Sequence, residues 1–124
     1  MKNTVLTIHG RCPSKKNSKQ AFVKNGRMLV LPSKNYKEWH STALKELQAT
    51  YRGSTMESVT SIDLHFYAPD KRLYDLSNKA ESIMDLLVDG GVLKDDNYEV
   101  VPVLLLQFMG VDKENPRCVI SIHK

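Results

Sequence analysis

The chain has 124 residues, a net charge of +4 and 41% hydrophobic residues, values typical of a single globular domain (1–124) with a modest core. Its longest apolar run, residues 100–109, is broken by Pro102 and Gln107 and is far too short to cross a bilayer. No charged segment followed by an apolar stretch opens the chain, so we expect no secretion signal. Cys12 and Cys118 lack CxxC spacing, which favours free thiols in a reducing cytoplasm over a zinc finger and leaves one disulfide open.

Charge is distributed unevenly along the chain. Residues 1–37 carry nine Lys or Arg and no acid, whereas residues 74–101 hold seven of the fourteen acids. A basic region beside an acidic cluster suggests a polyanion that is held at one place and processed at the other. A solvated basic surface without a partner gives the same pattern, so charge alone leaves both interpretations open.

Strands dominate the predicted elements at the start of the chain. Residues 4–9 alternate as a first strand, and the Pro, Ser, Asn and Lys content of residues 12–20 predicts a loop. Residues 21–31 then indicate a hairpin, because Asn25-Gly26 supplies the positive φ angles of a tight turn between two apolar runs.

A helix is predicted next, from an N-cap at Ser33 to about Tyr51. Its apolar residues lie three and four positions apart and form one buried stripe, which makes Trp39 a predicted core residue. Residues 59–68 alternate as a half-buried strand with His65 on the outer face, where solvation is favoured over metal ligation.

The remainder of the chain is predicted to add a helix and two strands. The helix spans residues 76–89 and ends at Gly90-Gly91, and residues 98–109 and 117–123 indicate closing strands. The order of elements lacks the regular alternation of a parallel sheet. We therefore predict an α+β fold, a single compact domain with a mixed or mainly antiparallel sheet packed with two main helices.

The predicted second helix carries oxygen-bearing side chains on one face. Asn78, Glu81 and Asp85 fall within about 60° of each other on a helical wheel. Glu81 and Asp85 repel each other by a few tenths of a kcal/mol, a conflict that a divalent cation would relieve and that water would also tolerate. Asp75 precedes the helix, where the macrodipole favours a carboxylate even without any metal.

The pair Asp95-Asp96 favours the metal. Successive loop residues can aim one carboxylate into a site while the other holds a supporting partner. Mg²⁺ takes a few carboxylates together with substrate phosphate oxygens, and it serves phosphodiester hydrolysis by generating hydroxide and shielding negative charge. An ordinary Asp-Asp-Asn turn is the competing interpretation.

At these residues the chain resembles a known family. The segment Asp75-Leu-Ser-Asn78, then Asp85, the Gly-Gly link and Asp95-Asp96 are similar to the RusA-type Holliday-junction resolvases, and Pro13–Ser18 resembles the N-terminal loop of that family. The similarity spans most of the chain. Short acidic motifs are weak alone, but two of them at this separation, in a chain of this length and charge, are fairly specific.

The resemblance implies a small dimeric α+β endonuclease of phages and prophages that needs Mg²⁺, with Mn²⁺ as a substitute. It implies cleavage of four-way DNA junctions by paired nicks, in recombination and repair, in the cytoplasm of a bacterial host. Carried over by position, Asp75 and Asp96 are the main metal-binding and catalytic carboxylates, with Asp95 beside them. Asn78 matches the family asparagine near the start of the helix.

Two positions depart from the commoner family pattern. Ser77 stands where the family has a second Asp, and Glu81 stands where it has a catalytic Lys. We expect Glu81 to replace the missing carboxylate as a metal ligand and catalytic residue. The missing positive charge could come from any of four residues, Lys71, Arg72, Lys79 and Lys94, although Lys79 lies about 100° from Asn78 on the wheel.

The basic residues are assigned to the substrate. Lys15, Lys16 and Lys19 are expected to contact backbone phosphates, which gives affinity without sequence information. Asn17 either reaches the scissile region or only forms a turn. The other predicted DNA contacts are Lys71, Arg72, Asn78 and Lys79.

Other functions fit the same residues. The vacant lysine position allows a DNA-binding protein with a weak or inactive nuclease site. A metal-dependent phosphodiesterase for small substrates or single strands is a second alternative, although it would not need the basic first third. A plain interaction domain is the third.

Overall fold

The computed structural model describes residues 3–14, 19–24, 26–32 and 34–124, with the backbone alone for residues 19–24 and 27–32. The elements in chain order are β1 (Asn3–His9), β2 (Lys19–Lys24), β3 (Arg27–Pro32), α1 (Lys34–Thr50), β4 (Ser61–Ala68), α2 (Leu76–Asp89), β5 (Leu104–Val111) and β6 (Arg117–His123). Both predicted helices and the predicted hairpin are present. The positions Asn25 and Ser33, predicted as part of the hairpin turn and as a helix N-cap, lie outside the described residues.

Four strands form one mixed sheet in the order β1-β6-β4-β5, and β2 and β3 form a separate antiparallel hairpin. β6 pairs antiparallel with both β1 and β4, whereas β5 runs parallel to β4. The parallel pair requires a long crossover, which α2 supplies between the two strands. The predicted α+β class with a mixed sheet and two helices is therefore confirmed.

The core lies between the sheet and the helices. β4 alternates as the sequence predicted, with Ile62, Leu64 and Phe66 fully buried. The helix α2 presents Ile83 and Leu87 to the same core, and both are also fully buried. Each such side chain contributes roughly 1.5–3 kcal/mol by leaving water, so this face fixes how α2 is rotated about its axis.

The two helices contact each other as well as the sheet. Tyr36 of α1 is buried and its hydroxyl donates a hydrogen bond of 2.9 Å to Asp85 Oδ2 of α2. The pKa of Tyr36 is raised well above its ordinary value, mainly by burial and also by this contact with Asp85. Gly90 lets α1 approach, because a Cβ there would stand 2.5 Å from Leu47 Cδ2.

Two predicted features were wrong in detail. The strand predicted over residues 98–109 begins only at Leu104, because the Asn97 side chain accepts hydrogen bonds from the backbone N–H groups of Glu99 and Val100 and forms a turn. The apolar signal of that stretch came from buried turn residues such as Val100. Trp39 is half-buried and packs against the core from its edge.

Along the described parts of the chain, neither helix has the length and apolar character that crossing a bilayer requires.

The C-terminus of α2 predicts a specific stability effect. Gly91 has φ +75°, and the N–H of Val92 donates to the carbonyl of Leu87 across the turn, as in a Schellman motif. Gly91→Ala should cost about 1 kcal/mol in the free energy of unfolding, measured in urea, because a Cβ disfavours this backbone conformation. Gly91→Asn, which tolerates positive φ, should lose less, and equal losses would contradict this explanation.

Candidate active site

Asp75 is held rigidly at the N-terminus of α2. It is the N-cap, with φ −83° and ψ 104°. Its Oδ1 accepts hydrogen bonds from the Ser77 hydroxyl at 2.9 Å and from the backbone N–H of Asn78 at 3.3 Å. The side-chain amide of Asn78 donates to Oδ2 at 3.0 Å. Ser77 and Asn78 therefore orient both oxygens of this carboxylate.

Glu81 and Asp96 share a cavity of about 250 Å³ with Ser77. Both carboxylates are exposed to solvent. Apolar side chains complete the lining (Ala80, Met84, Val101, Leu104 and Leu106). The cavity therefore combines an apolar wall with two acids, and Ser77 connects it to Asp75 through the hydrogen bond between their side chains.

Asp95 and Asp96 have different surroundings. Asp95 Oδ1 accepts the backbone N–H of Asp96 at 2.7 Å, and its Oδ2 accepts the side-chain amide of Asn97 at 3.0 Å. These contacts stabilise the loop. Asp96 is the member of the pair that lines the cavity.

Asp85 and Glu81 contact different parts of the molecule, although the helical wheel groups them. Asp85 bonds to Tyr36 and lines a cavity beside α1, whereas Glu81 lines the cavity that contains Asp96. The repulsion between the two acids is therefore a weaker argument for a cation at Glu81 than the sequence suggested.

Of the predicted ligands, Glu81 and Asp96 line one cavity and Asp75 contacts it through Ser77, but the three carboxylates do not form a tight group. Within the described ranges, three metal-ligating side chains come within 4.8 Å of one another only at His40, Asp85 and Asp89. The ligand set of Asp75, Glu81 and Asp96 thus stays a prediction.

Basic side chains surround the start of α2. Asp70 accepts hydrogen bonds from the guanidinium groups of Arg11 at 3.1 Å and Arg72 at 2.9 Å. The ammonium of Lys79 lies 4.8 Å from the centre of the Tyr74 ring, and burial is the main cause that lowers its pKa. Lys94, in contrast, forms an ion pair with Glu57 at 3.3 Å.

An apolar surface beside these basic residues was missed from the sequence. Lys71 and Arg72 border a cavity of about 450 Å³ that also contains Tyr74 and Phe108. Leu73, at the same loop, is fully exposed. Its position two residues before Asp75, within a run of charged residues, was the signal that could have identified it.

The first residues of the basic N-terminal loop are attached to α2. The buried Ser82 hydroxyl donates to the carbonyl of Pro13 at 2.7 Å. Cys12 is buried beside it, and burial raises the pKa of its thiol to about 12, so it stays protonated at neutral pH. Of the predicted DNA contacts, Lys15, Lys16 and Asn17 lie outside the described residues, and Lys19 begins β2.

The fold and the site define a compact α+β domain with a solvent-open group of carboxylates at the start of one helix and in the loop that follows it. The profile of the endodeoxyribonuclease RusA family matches residues 12–123, and the chain belongs to that family. It is 26% identical over 87 residues to the crossover junction endodeoxyribonuclease RusA of Aquifex aeolicus (strain VF5), an alignment that covers 70% of this chain and 68% of that protein.

The N-cap role of Asp75 can be tested by stability alone. Asp75→Ala should lower the free energy of unfolding by about 1 kcal/mol, and Asp75→Asn should change it much less, because Asn is as good an N-cap as Asp. Urea unfolding without divalent ions measures both. Equal stability of the Ala variant and the unmodified chain would mean that the cap contributes nothing.

Proposed function

We propose that this protein is a Mg²⁺-dependent endodeoxyribonuclease that resolves four-way DNA junctions by paired nicks, acting as a homodimer in recombination and repair. The observation that supports the proposal is the arrangement of the two acids that match the family, Asp75 and Asp96, together with Glu81. Asp75 is fixed at the start of α2, and Asp96 and Glu81 line one cavity next to it. The direct test is cleavage of a synthetic four-way junction with and without Mg²⁺, against a linear duplex as control.

The donor set fits a hard cation. Asp75, Glu81 and Asp96 offer only carboxylate oxygens, all three are exposed, and exposed side chains can rotate toward an ion. Mg²⁺ accepts such ligands and keeps water and substrate oxygens in its other positions. When bound, it would lower the pKa of a water and offset the negative charge that develops on the phosphate.

The residues of the chain itself have separate roles in this proposal. Ser77 and Asn78 hold Asp75 in one orientation, which reduces the cost of ordering it when substrate arrives. Asp95 shapes the loop that presents Asp96. Asp75 and Asp96 would also hold the attacking water by accepting hydrogen bonds from it.

Lys79 is the best of the four candidates for the missing positive charge. Its ammonium lies over the ring of Tyr74, the residue before Asp75. The negative charges of Asp75 and Asp70 interact favourably with this ammonium. Lys94 is already paired with Glu57, and Arg72 is paired with Asp70. We assign to Lys79 the neutralisation of phosphate charge near the scissile bond.

The DNA would lie along the surface formed by the loop before α2 and the loop after Cys12. Lys71 and Arg72 supply phosphate contacts from the first loop, and Lys15, Lys16 and Lys19 are proposed to supply further ones. The hydrogen bond from Ser82 to Pro13 places the start of the second of these loops against α2, the helix that follows the first. The exposed Leu73 would contact bases that are unstacked at the junction.

A second copy of the chain is proposed to cover β5. This strand lies at an edge of the sheet and exposes apolar side chains on both faces (Leu104, Leu105, Phe108, Met109 and Val111). Residues 103–111 contain no charge and no proline, the usual protections of a free edge strand. Leu104 also lines the cavity of Glu81, so pairing through β5 would bring two sites together.

Loss of either main carboxylate should stop cleavage. Asp75→Asn and Asp96→Asn should each abolish Mg²⁺-dependent nicking of the junction, because an amide oxygen carries no charge for the ion. Junction binding, measured by gel shift in Ca²⁺ or without divalent ions, should be unchanged or tighter since repulsion of phosphate is reduced. Substantial turnover by either variant would remove that residue from the ligand set.

Glu81 should be a metal ligand. Glu81→Gln should raise the Mg²⁺ concentration needed for half-maximal cleavage, with partial recovery in excess Mg²⁺ or Mn²⁺, because one charged ligand is lost. Glu99→Gln is the matched control, since Glu99 is an exposed acid that does not line the cavity. Normal cleavage by Glu81→Gln at low Mg²⁺ would make Glu81 a solvated surface acid.

A second pair of variants tests the departure from the family pattern at the same position. Glu81→Lys alone should be inactive, because it removes a ligand without restoring the aspartate at position 77. Combining it with Ser77→Asp should recover part of the activity.

The dimer surface can be tested by charge insertion. Leu105→Lys should convert a dimer into a monomer in analytical ultracentrifugation, because an interface that buries an unpaired ammonium is strongly disfavoured. Val5→Lys, on the edge strand β1 at the other side of the sheet, is the control, since Val5 is 62% exposed and Leu105 is 57% exposed. A wild-type chain that is monomeric at all concentrations, or equal effects of both variants, would contradict β5 as the interface.

A further inference from the structure

A second group of metal-ligating side chains lies between the two helices. His40 belongs to α1, and Asp85 and Asp89 stand one turn apart on α2. One ligand atom from each of the three comes within 4.8 Å of the other two. His40 Nε2 is 2.8 Å from Asp89 Oδ2. The three side chains line a cavity of about 300 Å³ together with Tyr36 and Lys37.

This cavity is separate from the one that holds Glu81 and Asp96, since the two have no lining residue in common. Asp85 follows Glu81 by one helical turn but faces α1 through its contact with Tyr36. The carboxylates proposed to act in DNA cleavage are therefore not part of this group, and metal binding here can be measured independently of them.

The chemistry of the three ligands indicates the kind of ion. One imidazole nitrogen with two carboxylate oxygens suits a borderline transition ion such as Zn²⁺ or Co²⁺, whereas Mg²⁺ prefers oxygen ligands alone. Ligand atoms around a tetrahedral Zn²⁺ lie about 3.4 Å apart, given bonds of about 2.1 Å. The widest separation, 4.8 Å at most, would have to shorten by up to about 1.4 Å, and the 2.8 Å contact between His40 and Asp89 would have to lengthen by about 0.6 Å. Rotation of the exposed Asp89 side chain allows such adjustments.

The neighbouring residues act on the same group in two ways. The Tyr36 hydroxyl donates to Asp85 Oδ2 at 2.9 Å, the kind of contact that orients a ligating carboxylate. Lys37, at the border of the cavity, carries a positive charge that lowers affinity for a cation. An ion bound to both helices would also offset the repulsion between Asp85 and Asp89, which are four residues apart on one helix.

We propose that His40, Asp85 and Asp89 form a site for a divalent transition ion that links α1 to α2. The ion would stabilise the folded chain because it binds ligands from two helices that are together only after folding. The alternative is a simple interhelical pair of His40 and Asp89, with no affinity for metal.

The experiment uses the full chain carrying Asp75→Asn and Asp96→Asn, so that two of the nuclease carboxylates do not bind the titrant. Zn²⁺ is titrated into reduced protein by calorimetry, and thermal unfolding is recorded with and without Zn²⁺. Cys12 and Cys118 are buried, so their thiols do not compete in the folded state. We expect saturable binding of one Zn²⁺ per chain and a higher Tm in its presence.

Substitutions of the ligands distinguish a metal site from a simple pair of His40 and Asp89. His40→Ala and Asp89→Asn should each weaken Zn²⁺ binding by about tenfold or more, judged from the 10- to 100-fold losses seen even for outer-shell partners. Lys37→Ala should tighten it. The matched control is His9→Ala. His9 Nδ1 lies 2.6 Å from Glu46 Oε2, and among the residues that the structure describes His9 belongs to no group of three metal-ligating side chains. Asp89→Asn keeps the size of the side chain. It therefore tests the metal site even if the His40→Ala variant fails to fold.

Absence of saturable Zn²⁺ binding, or equal affinities of the Asp89→Asn and His9→Ala variants, would overturn the proposal. Junction cleavage by the chain with intact Asp75 and Asp96 is a separate measurement. Its failure would refute the proposed nuclease activity and leave the metal site standing.

Discussion

Burial of one face of α2 determines the geometry of everything else in the molecule. Ile83, Leu86 and Leu87 are fully removed from solvent, so the rotation of this helix about its axis is set by packing against the sheet and against α1. The directions of its polar side chains follow from that rotation. Since α2 is also the crossover between the parallel strands β4 and β5, its N-terminus lies beside the end of β4 and its C-terminus leads into the loop of Asp96.

The same packing divides the acids of α2 between two surroundings. Glu81 faces the loop that carries Asp96, and Asp85 and Asp89 face α1. A single helix thereby contributes to the carboxylates proposed for DNA cleavage and to a group with a histidine that suits a different ion. The acids of α2 therefore belong to two separate groups.

Hydrogen bonds hold the proposed catalytic residues in place before any substrate binds. Asp75 is oriented by Ser77 and Asn78, Asp95 stabilises the turn next to Asp96, and Ser82 fixes the beginning of the basic loop to α2. Before α2, Asp70 accepts hydrogen bonds from Arg11 and Arg72.

Most helices and strands, and the family, could be predicted from the amino-acid sequence. Local periodicity and backbone preference were enough to predict the alternation of β4, the bounds of α2 and the turn at Gly91. These features depend on residues that are close together in the chain. The spacing of Asp75 and Asp96 was sufficient for the resemblance to the RusA family. Local patterns failed at residues 98–103, where apolar residues fill the core from a turn, and at Trp39.

Which acids share a cavity depends on how the elements pack, and the sequence pattern did not show it. A helical wheel groups Glu81 with Asp85 because they are close in angle. Their surroundings differ because Asp85 contacts Tyr36 of α1, far away in sequence, whereas Glu81 shares a cavity with Asp96 in the loop after α2. For the same reason His40 could not be connected with Asp89, nor β5 recognised as an exposed edge. These relations depend on how the helices and strands pack, and that packing results from the burial of side chains drawn from the whole chain.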